Sequence, residues 1–367
     1  MMKKKKVFII LPVILIGLFI LIYKERKIAH DIIVNVITSD NTREGLFDVK
    51  SMEWCDLPIG FDLDKGGVPN GYQDITHPSV ILASTNDSMA VWMAATPYPT
   101  SLSTSGEPYE NTCIFYSTVN DAKYPTSFSP IFKNPIIYKG TAKYNSDPDI
   151  FYNNADTSLY VITRKRRGPE YITKIVLQKS KDGNQWSEPN DLFTTDSLCL
   201  CPCLLKGNND TYQIYAFNTR DDSQKTTNNI QIWESRSLSQ PSFELKHVVS
   251  WRNKQNVWHG DIVYHNETYY MVFCGTSADY RFKWTRKADS TKYLWFARSK
   301  DGLNFDVNPR PILKCNGAYR SSFFIDPNDN IIIYCSFHNR FRGDQSMYPA
   351  GNRIGKIEVP LSSVANF

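Results

Sequence analysis

Short apolar runs separated by turns rich in Asn, Asp and Gly recur through the chain, and helical periodicity is missing from the body. Five segments open on a polar or small residue and pass into an apolar strand: His77-Pro-Ser-Val-Ile, Asp147-Pro-Asp-Ile-Phe, Cys201-Pro-Cys-Leu-Leu, His259-Gly-Asp-Ile-Val and Arg320-Ser-Ser-Phe-Phe. Their starts are 70, 54, 58 and 61 residues apart. A second apolar run follows each, at Met89 to Ala95, Leu159 to Thr163, Tyr212 to Phe217, Tyr269 to Cys274 and Ile331 to Phe337. A third run comes next, and the first four repeats end in a fourth, weaker strand. Such units cannot each bury both faces alone, but they can when packed radially, so the pattern predicts an all-β, five-bladed β-propeller. The last repeat has only three strands before the chain ends, which predicts that a strand between Ile32 and Leu63 completes the fifth blade.

The N-terminus follows a different pattern. Lys3, Lys4, Lys5 and Lys6 precede an apolar stretch from Val7 to Tyr23, about 17 residues and near the short limit for a bilayer-spanning helix. No small-x-small cleavage site follows it, so an uncleaved transmembrane helix is favoured over the alternative of a cleaved signal peptide. More lysines lie before the stretch than after it, which places the N-terminus in the cytoplasm and the C-terminal domain outside it, in a single-pass topology. The organisation expected is a basic tail and membrane anchor over residues 1–27, a stem over 28–50 that can donate the closing strand, and the propeller over 51–367.

This reading changes the meaning of the charge. The formal net charge is +5, but residues 1–27 carry a net +6, leaving the rest near −1. A near-neutral body has no electrostatic footprint for nucleic acid, and the basic cluster serves membrane topology. Aromatic residues make up 13%, a share that suits strand surfaces and sugar-stacking clefts.

The eight cysteines are too few for a disulfide scaffold at this length. Cys199, Cys201 and Cys203 alternate along one strand and are expected to share a face as buried thiols, since the spacing lacks the paired C-x2-C of a zinc site. Arg164 to Arg167 are expected to be solvated at a hairpin.

In a propeller the first strand of each blade lines the central channel, so equivalent positions gather. The repeats place His77, Asp147, Cys201, His259 and Arg320 on one ring, and Ser79, Asp149, Cys203, Asp261 and Ser322 on the next. So many ionisable groups facing one funnel are costly unless paired, which marks a candidate site.

These motifs resemble the five-bladed glycosidases of glycoside hydrolase family 43 and the related families 32 and 117. Ser146-Asp-Pro-Asp-Ile-Phe-Tyr152 is similar to the second-blade motif carrying that clan's auxiliary aspartate. Trp258-His-Gly-Asp261 is similar to the fourth-blade motif with its central His, and Tyr319-Arg-Ser-Ser322 to a fifth-blade strand bearing a substrate-binding Arg. Ser180-Lys-Asp-Gly-Asn-Gln-Trp186 and Ser299-Lys-Asp-Gly-Leu-Asn-Phe305 look like Asp boxes, structural hairpin turns between third and fourth strands. Two positions depart from the family. Its first-blade D-P-S-I, the source of the general base, reads His77-Pro-Ser-Val here, with Asp74 three residues earlier. Its third-blade glutamate, the general acid, has no counterpart in Leu200-Cys-Pro-Cys203.

The resemblance implies a membrane-anchored, extracytoplasmic glycoside hydrolase-like protein acting on a poly- or oligosaccharide. Asp147, Asp261 and Asp74 are its candidate carboxylates, and His259 orients or donates. His77, Arg320, Asp149, Trp258 and Tyr319 contact the sugar, the last two by stacking. No cofactor is expected from the residues themselves and no metal ligands are assigned, although the resemblance allows a central ion held through His259 and waters. The alternative is a non-catalytic glycan-binding propeller in surface polysaccharide assembly or export. The expected partners are carbohydrate and, through the N-terminal helix, the membrane.

Overall fold

The computed structural model describes residues 45–48, 51–58, 74–85, 88–99, 109–119, 123–137, 144–167, 172–219, 228–253, 255–276, 293–314, 317–337 and 352–367. These form one compact unit that begins at Gly45. The expected anchor over 1–27 lies outside the described residues, among which no helix is long and apolar enough to cross a membrane.

The strands form five four-stranded antiparallel sheets. Blade one is β2 (Ile75–Thr85), β3 (Ser88–Pro97), β4 (Cys113–Thr118) and β5 (Ser129–Pro130). Blade two is β6 (Tyr144–Asn153), β7 (Ser158–Arg167), β8 (Ile172–Ser180) and β9 (Asn190–Thr195). Blade three is β10 (Leu200–Lys206), β11 (Tyr212–Thr219), β12 (Asn228–Ser235) and β13 (Glu244–Ser250). Blade four is β14 (Asn256–His265), β15 (Thr268–Thr276), β16 (Tyr293–Ser299) and β17 (Asp306–Val307). Blade five is β18 (Ala318–Ile325), β19 (Asn330–Phe337) and β20 (Arg353–Pro360), with the short helix α1 (Leu361–Ala365) after it.

Blade five is completed by β1 (Glu53–Trp54), which pairs with β20 through Glu53 opposite Lys356 and Trp54 opposite Gly355. The closing strand therefore comes from the expected Ile32 to Leu63 segment, but from beyond the 28–50 stem, and joins the two ends of the propeller. At Gly355 the Met52 side chain fills the space a Cβ would take. The hydrophobic core is distributed between blades rather than central. One cluster joins Val272, Phe296 and Leu313 to Phe323, Ile333 and Ile357, and others repeat this between successive blades.

Both Asp-box segments form the hairpins expected of them. Ser180 and Asp182 accept the Gly183 and Asn184 N–H groups at 2.8 and 2.9 Å, and Trp186 Nε1 donates to Gly183 O at 2.9 Å. The second hairpin repeats this with Ser299 and Asp301. Left-handed backbone at Gly183 and Gly302 makes these glycines necessary.

Candidate functional site

Every inner strand carries a register shift near its start: between Thr76 and Ser79, Ser146 and Asp149, Leu200 and Cys203, Val257 and His259, and Ala318 and Arg320. These β-bulges re-aim the ring residues into the channel. In blades one to three the bulge places His77, Asp147 and Cys201 at φ of 55°, 49° and 44°, each followed by proline. A non-glycine residue in that conformation costs on the order of 1–3 kcal/mol, and such strain concentrates at functional sites.

The first ring converges as expected. His77 Nε2 lies 3.4 Å from Asp147 Oδ1, and the His77 ring stands 5.7 Å from His259 and 5.3 Å from Tyr319. Tyr319 packs edge-on against His259 at 4.8 Å, and Trp258 lies on its other side at 5.2 Å. Trp258 and Tyr319 are the extra residues of their bulges and stay half-buried, while His77, Asp147, His259 and Arg320 are buried. His77, Asp147 and His259 bring one donor atom each within 4.8 Å of one another. They are the residues that could hold a metal ion here.

The electrostatics keep this cluster in one state. Burial, followed by the Arg320 and Arg164 charges and against the opposing pull of Asp147, holds His77 down at about 4, so the imidazole is neutral near pH 7. Burial alone would raise Asp147, but Arg164, His77, His259 and Arg320 outweigh it and keep the carboxyl well below the usual carboxylate range. The His77 Nδ1 edge faces Thr96 Oγ1 at 2.6 Å and Glu110 Oε1 at 3.9 Å, and Nε2 faces Asp147.

Two of these partners were not visible in the strand pattern. Arg164 is not solvated as expected: it is 6% exposed, its Nη2 sits 2.8 Å from Asp147 Oδ2, and it also donates to Leu198 O and Ser146 Oγ. Only alternation along β7 could have signalled this, because Arg164 pairs directly with Ser146 at the bulge. Glu110 precedes β4 and no repeat position marks it. Arg320 reaches from blade five to blade two, donating to Pro148 O at 2.7 Å and approaching Asp147 Oδ1 at 3.6 Å. It clamps Asp147 from a buried position.

The second ring is a structural belt. Ser79 Oγ donates to Asp149 Oδ1 at 2.7 Å, and Leu204 N donates to Asp149 Oδ2 at 2.6 Å. Cys203 Sγ faces Gly260 O at 3.4 Å, Ser322 Oγ donates to Asp261 Oδ2 at 2.6 Å, and Val80 N donates to Ser322 Oγ at 2.9 Å. These contacts link blades one, two, three, four, five and one again. Burial and the neighbouring Asp261 charge push Asp149 up to about 8, and burial raises Asp261 as well, so the pair retains a proton at neutral pH. Beyond the belt, at the far ends of the inner strands, lies a cavity of about 800 Å³ lined by Leu82, Phe151, Leu205, Tyr264 and Phe323. Asp149 and Asp261 border it, and the first-ring residues do not. Asp261 therefore borders this cavity and Asp147 does not.

Asp74 is placed elsewhere again. Its Oδ1 accepts the Asn352 N–H, and its carbonyl accepts Tyr98 N at 2.8 Å, at the seam of blades one and five. The cysteines do not share one face: Cys199 packs between blades two and three, whereas Cys201 and Cys203 pack between three and four. Positive φ at Cys199 and Cys201 breaks the simple alternation. Burial keeps all three as neutral thiols.

No family model and no curated protein sequence matches the chain. Solved structures do. An N-acetylgalactosamine deacetylase from F. plautii, solved with blood group B trisaccharide, aligns at a TM-score of 0.65 and 17% identity over 85% of this chain and 95% of that one. A family 43 β-xylosidase/α-arabinofuranosidase from a compost metagenome, solved with xylotriose, aligns at 0.56 and 12% identity over 84% and 93%. The β-xylosidase RS223 aligns at 0.55 and 12% identity over 78% and 92%. At these identities the likeness is one of fold, and in fold this chain is a five-bladed β-propeller similar to the glycosidases of family 43.

Proposed function

We propose that this protein is a membrane-anchored, extracytoplasmic hydrolase that acts on a poly- or oligosaccharide at the His77, Asp147 and His259 cluster. The convergence of these three buried side chains on one point, held by two arginines, carries the reading. The strained backbone at His77 and Asp147 supports it. Trp258 and Tyr319, half-buried beside the cluster, are the sugar-facing rings.

The reaction favoured is hydrolytic removal of an acyl group from a sugar. Splitting a glycosidic bond uses two carboxyl groups, roughly 5–5.5 Å or 6.5–9.5 Å apart, flanking the sugar. Here Asp261 lies in the belt, and Cys201 stands at the blade-three position of the ring. Removing an acyl group instead needs a polarised carbonyl and an activated water. Two imidazoles and one carboxylate oxygen suit a divalent cation, which would supply both effects. Arg164 and Arg320 hold Asp147 ionised, and a proton on His77 Nδ1, facing Thr96 and Glu110, would leave Nε2 free to bind that cation. The same fold carries a sugar deacetylase, which supports this reading.

The N-terminal Lys3 to Lys6 and the apolar stretch Val7 to Tyr23 support the anchor and its orientation. The test is to incubate the detergent-solubilised full chain with N- and O-acetylated oligosaccharides and aryl glycosides and weigh the products. Loss of acetyl mass without chain shortening is expected. Chain shortening would replace the reaction with glycosidic cleavage, and binding without product would favour a glycan-binding propeller.

A further inference from the structure

The donor set also fixes which ion the cluster selects: we propose that His77, Asp147 and His259 form a site for a first-row divalent transition ion, zinc by preference, and not for calcium or magnesium. This rests on the proposed hydrolytic site but concerns only the identity of the ion.

Spacing alone does not decide. Ligands about 2.0–2.1 Å from zinc in a tetrahedron are roughly 3.3–3.4 Å apart, and calcium ligands at about 2.3–2.6 Å can be similarly spaced. The 3.4 Å between His77 Nε2 and Asp147 Oδ1 accommodates both. Donor type does decide. Calcium gathers 6–8 oxygens, usually from several carboxylates and carbonyls, and magnesium demands oxygen and water. The cluster offers two imidazole nitrogens and one carboxylate. That carboxylate has its Oδ2 committed to Arg164 at 2.8 Å, so at most it presents Oδ1, which lies 3.4 Å from His77 Nε2 and 3.6 Å from Arg320 Nη1. Imidazole favours zinc, iron, nickel and copper over the hard ions.

The surroundings are those a metal-bound histidine requires. The Nδ1 edge of His77 has a hydroxyl acceptor, Thr96 Oγ1, at 2.6 Å and the Glu110 carboxylate behind it at 3.9 Å, which aims Nε2 inward. Three protein donors leave a coordination position for water or substrate, as in catalytic zinc sites.

The test strips the detergent-solubilised full chain with chelator and dialyses it against equal zinc and calcium. Bound metal is then counted, with Co²⁺ absorption as a second probe. One equivalent of zinc and a Co²⁺ ligand-field spectrum are expected. His259→Gln should weaken zinc at least as much as the roughly 10–100-fold that loss of an outer partner costs, and His77→Asp should shift retention toward calcium. Calcium retained over zinc, or no metal retained by the wild-type chain, overturns the proposal even where the variants fail to fold. Acyl hydrolysis that persists in the metal-free chain would also overturn it while leaving the site's hydrolytic role standing.

Discussion

Removing Arg164 should destabilise the protein far more than removing any surface charge. The Arg164–Asp147 pair is 2.8 Å long with Asp147 fully buried. At an effective dielectric near 20, unit charges that close attract by about 6 kcal/mol. Desolvation offsets much of this in the intact pair, but Arg164→Met would leave the Asp147 charge buried with only the more distant Arg320 at 3.6 Å. Breaking a buried pair from one side costs roughly 3–5 kcal/mol, a large part of a total stability of about 5–15 kcal/mol. The exposed pair Lys174–Asp191, at 2.5 Å, should contribute at most about 1 kcal/mol. Urea unfolding of the detergent-solubilised chain, followed by tryptophan fluorescence, measures both. The double variant Arg164→Met/Asp147→Asn should recover part of the loss, because the Asp147 charge leaves with its partner while Arg320 keeps its hydrogen bond to Pro148 O. If Arg164→Met costs less than about 1 kcal/mol, or the double variant is as poor as the sum of the singles, the clamp on Asp147 is not what the geometry indicates.

Other outcomes follow from separate parts of the fold. Asp149 has a folded-state pKa of about 8 against an ordinary 3.8, so the stability it contributes is fully present below 3.8 and is lost as pH rises toward 8. Asp149→Asn should flatten this decline between pH 4 and 8 in pH-dependent unfolding. Gly183→Ala should cost several kcal/mol in the same assay, because its Cβ would enter the Trp92 ring from a left-handed backbone at φ +75°. Replacing half-buried Trp54 by Ala, which removes its edge contact with Phe337 at 5.6 Å, should cost less than the roughly 3–5 kcal/mol of a fully buried Trp and still lower the urea midpoint.

The propeller was legible because its information is local and repeated. Strand period, Asn/Asp/Gly turns and the three-stranded last repeat together implied blade number and closure, down to the segment holding Glu53 and Trp54. The ring of His77, Asp147 and His259 was legible for the same reason, since equivalent repeat positions must converge. The belt was only half legible. Equivalent positions put Asp149 and Asp261 on the ring after Asp147 and His259, where they lie, but the hydrogen bonds with Ser79, Leu204 and Ser322 that close it depend on how neighbouring blades meet, which sequence spacing does not carry. Arg164 and Glu110 were missed because they come from outside the inner strands and reach the channel through neighbouring blades. Arg164 read as one charge in a basic run, and only its pairing opposite Ser146 shows it turned inward.

The claim that the first ring and not the belt is the reactive centre is tested most directly by product release from an acetylated oligosaccharide by wild type, His259→Gln and Asp261→Asn, each verified as folded. The account predicts that His259→Gln loses at least about 100-fold in rate while Asp261→Asn stays within a few-fold of wild type. Loss of activity in Asp261→Asn with His259→Gln unaffected would contradict it.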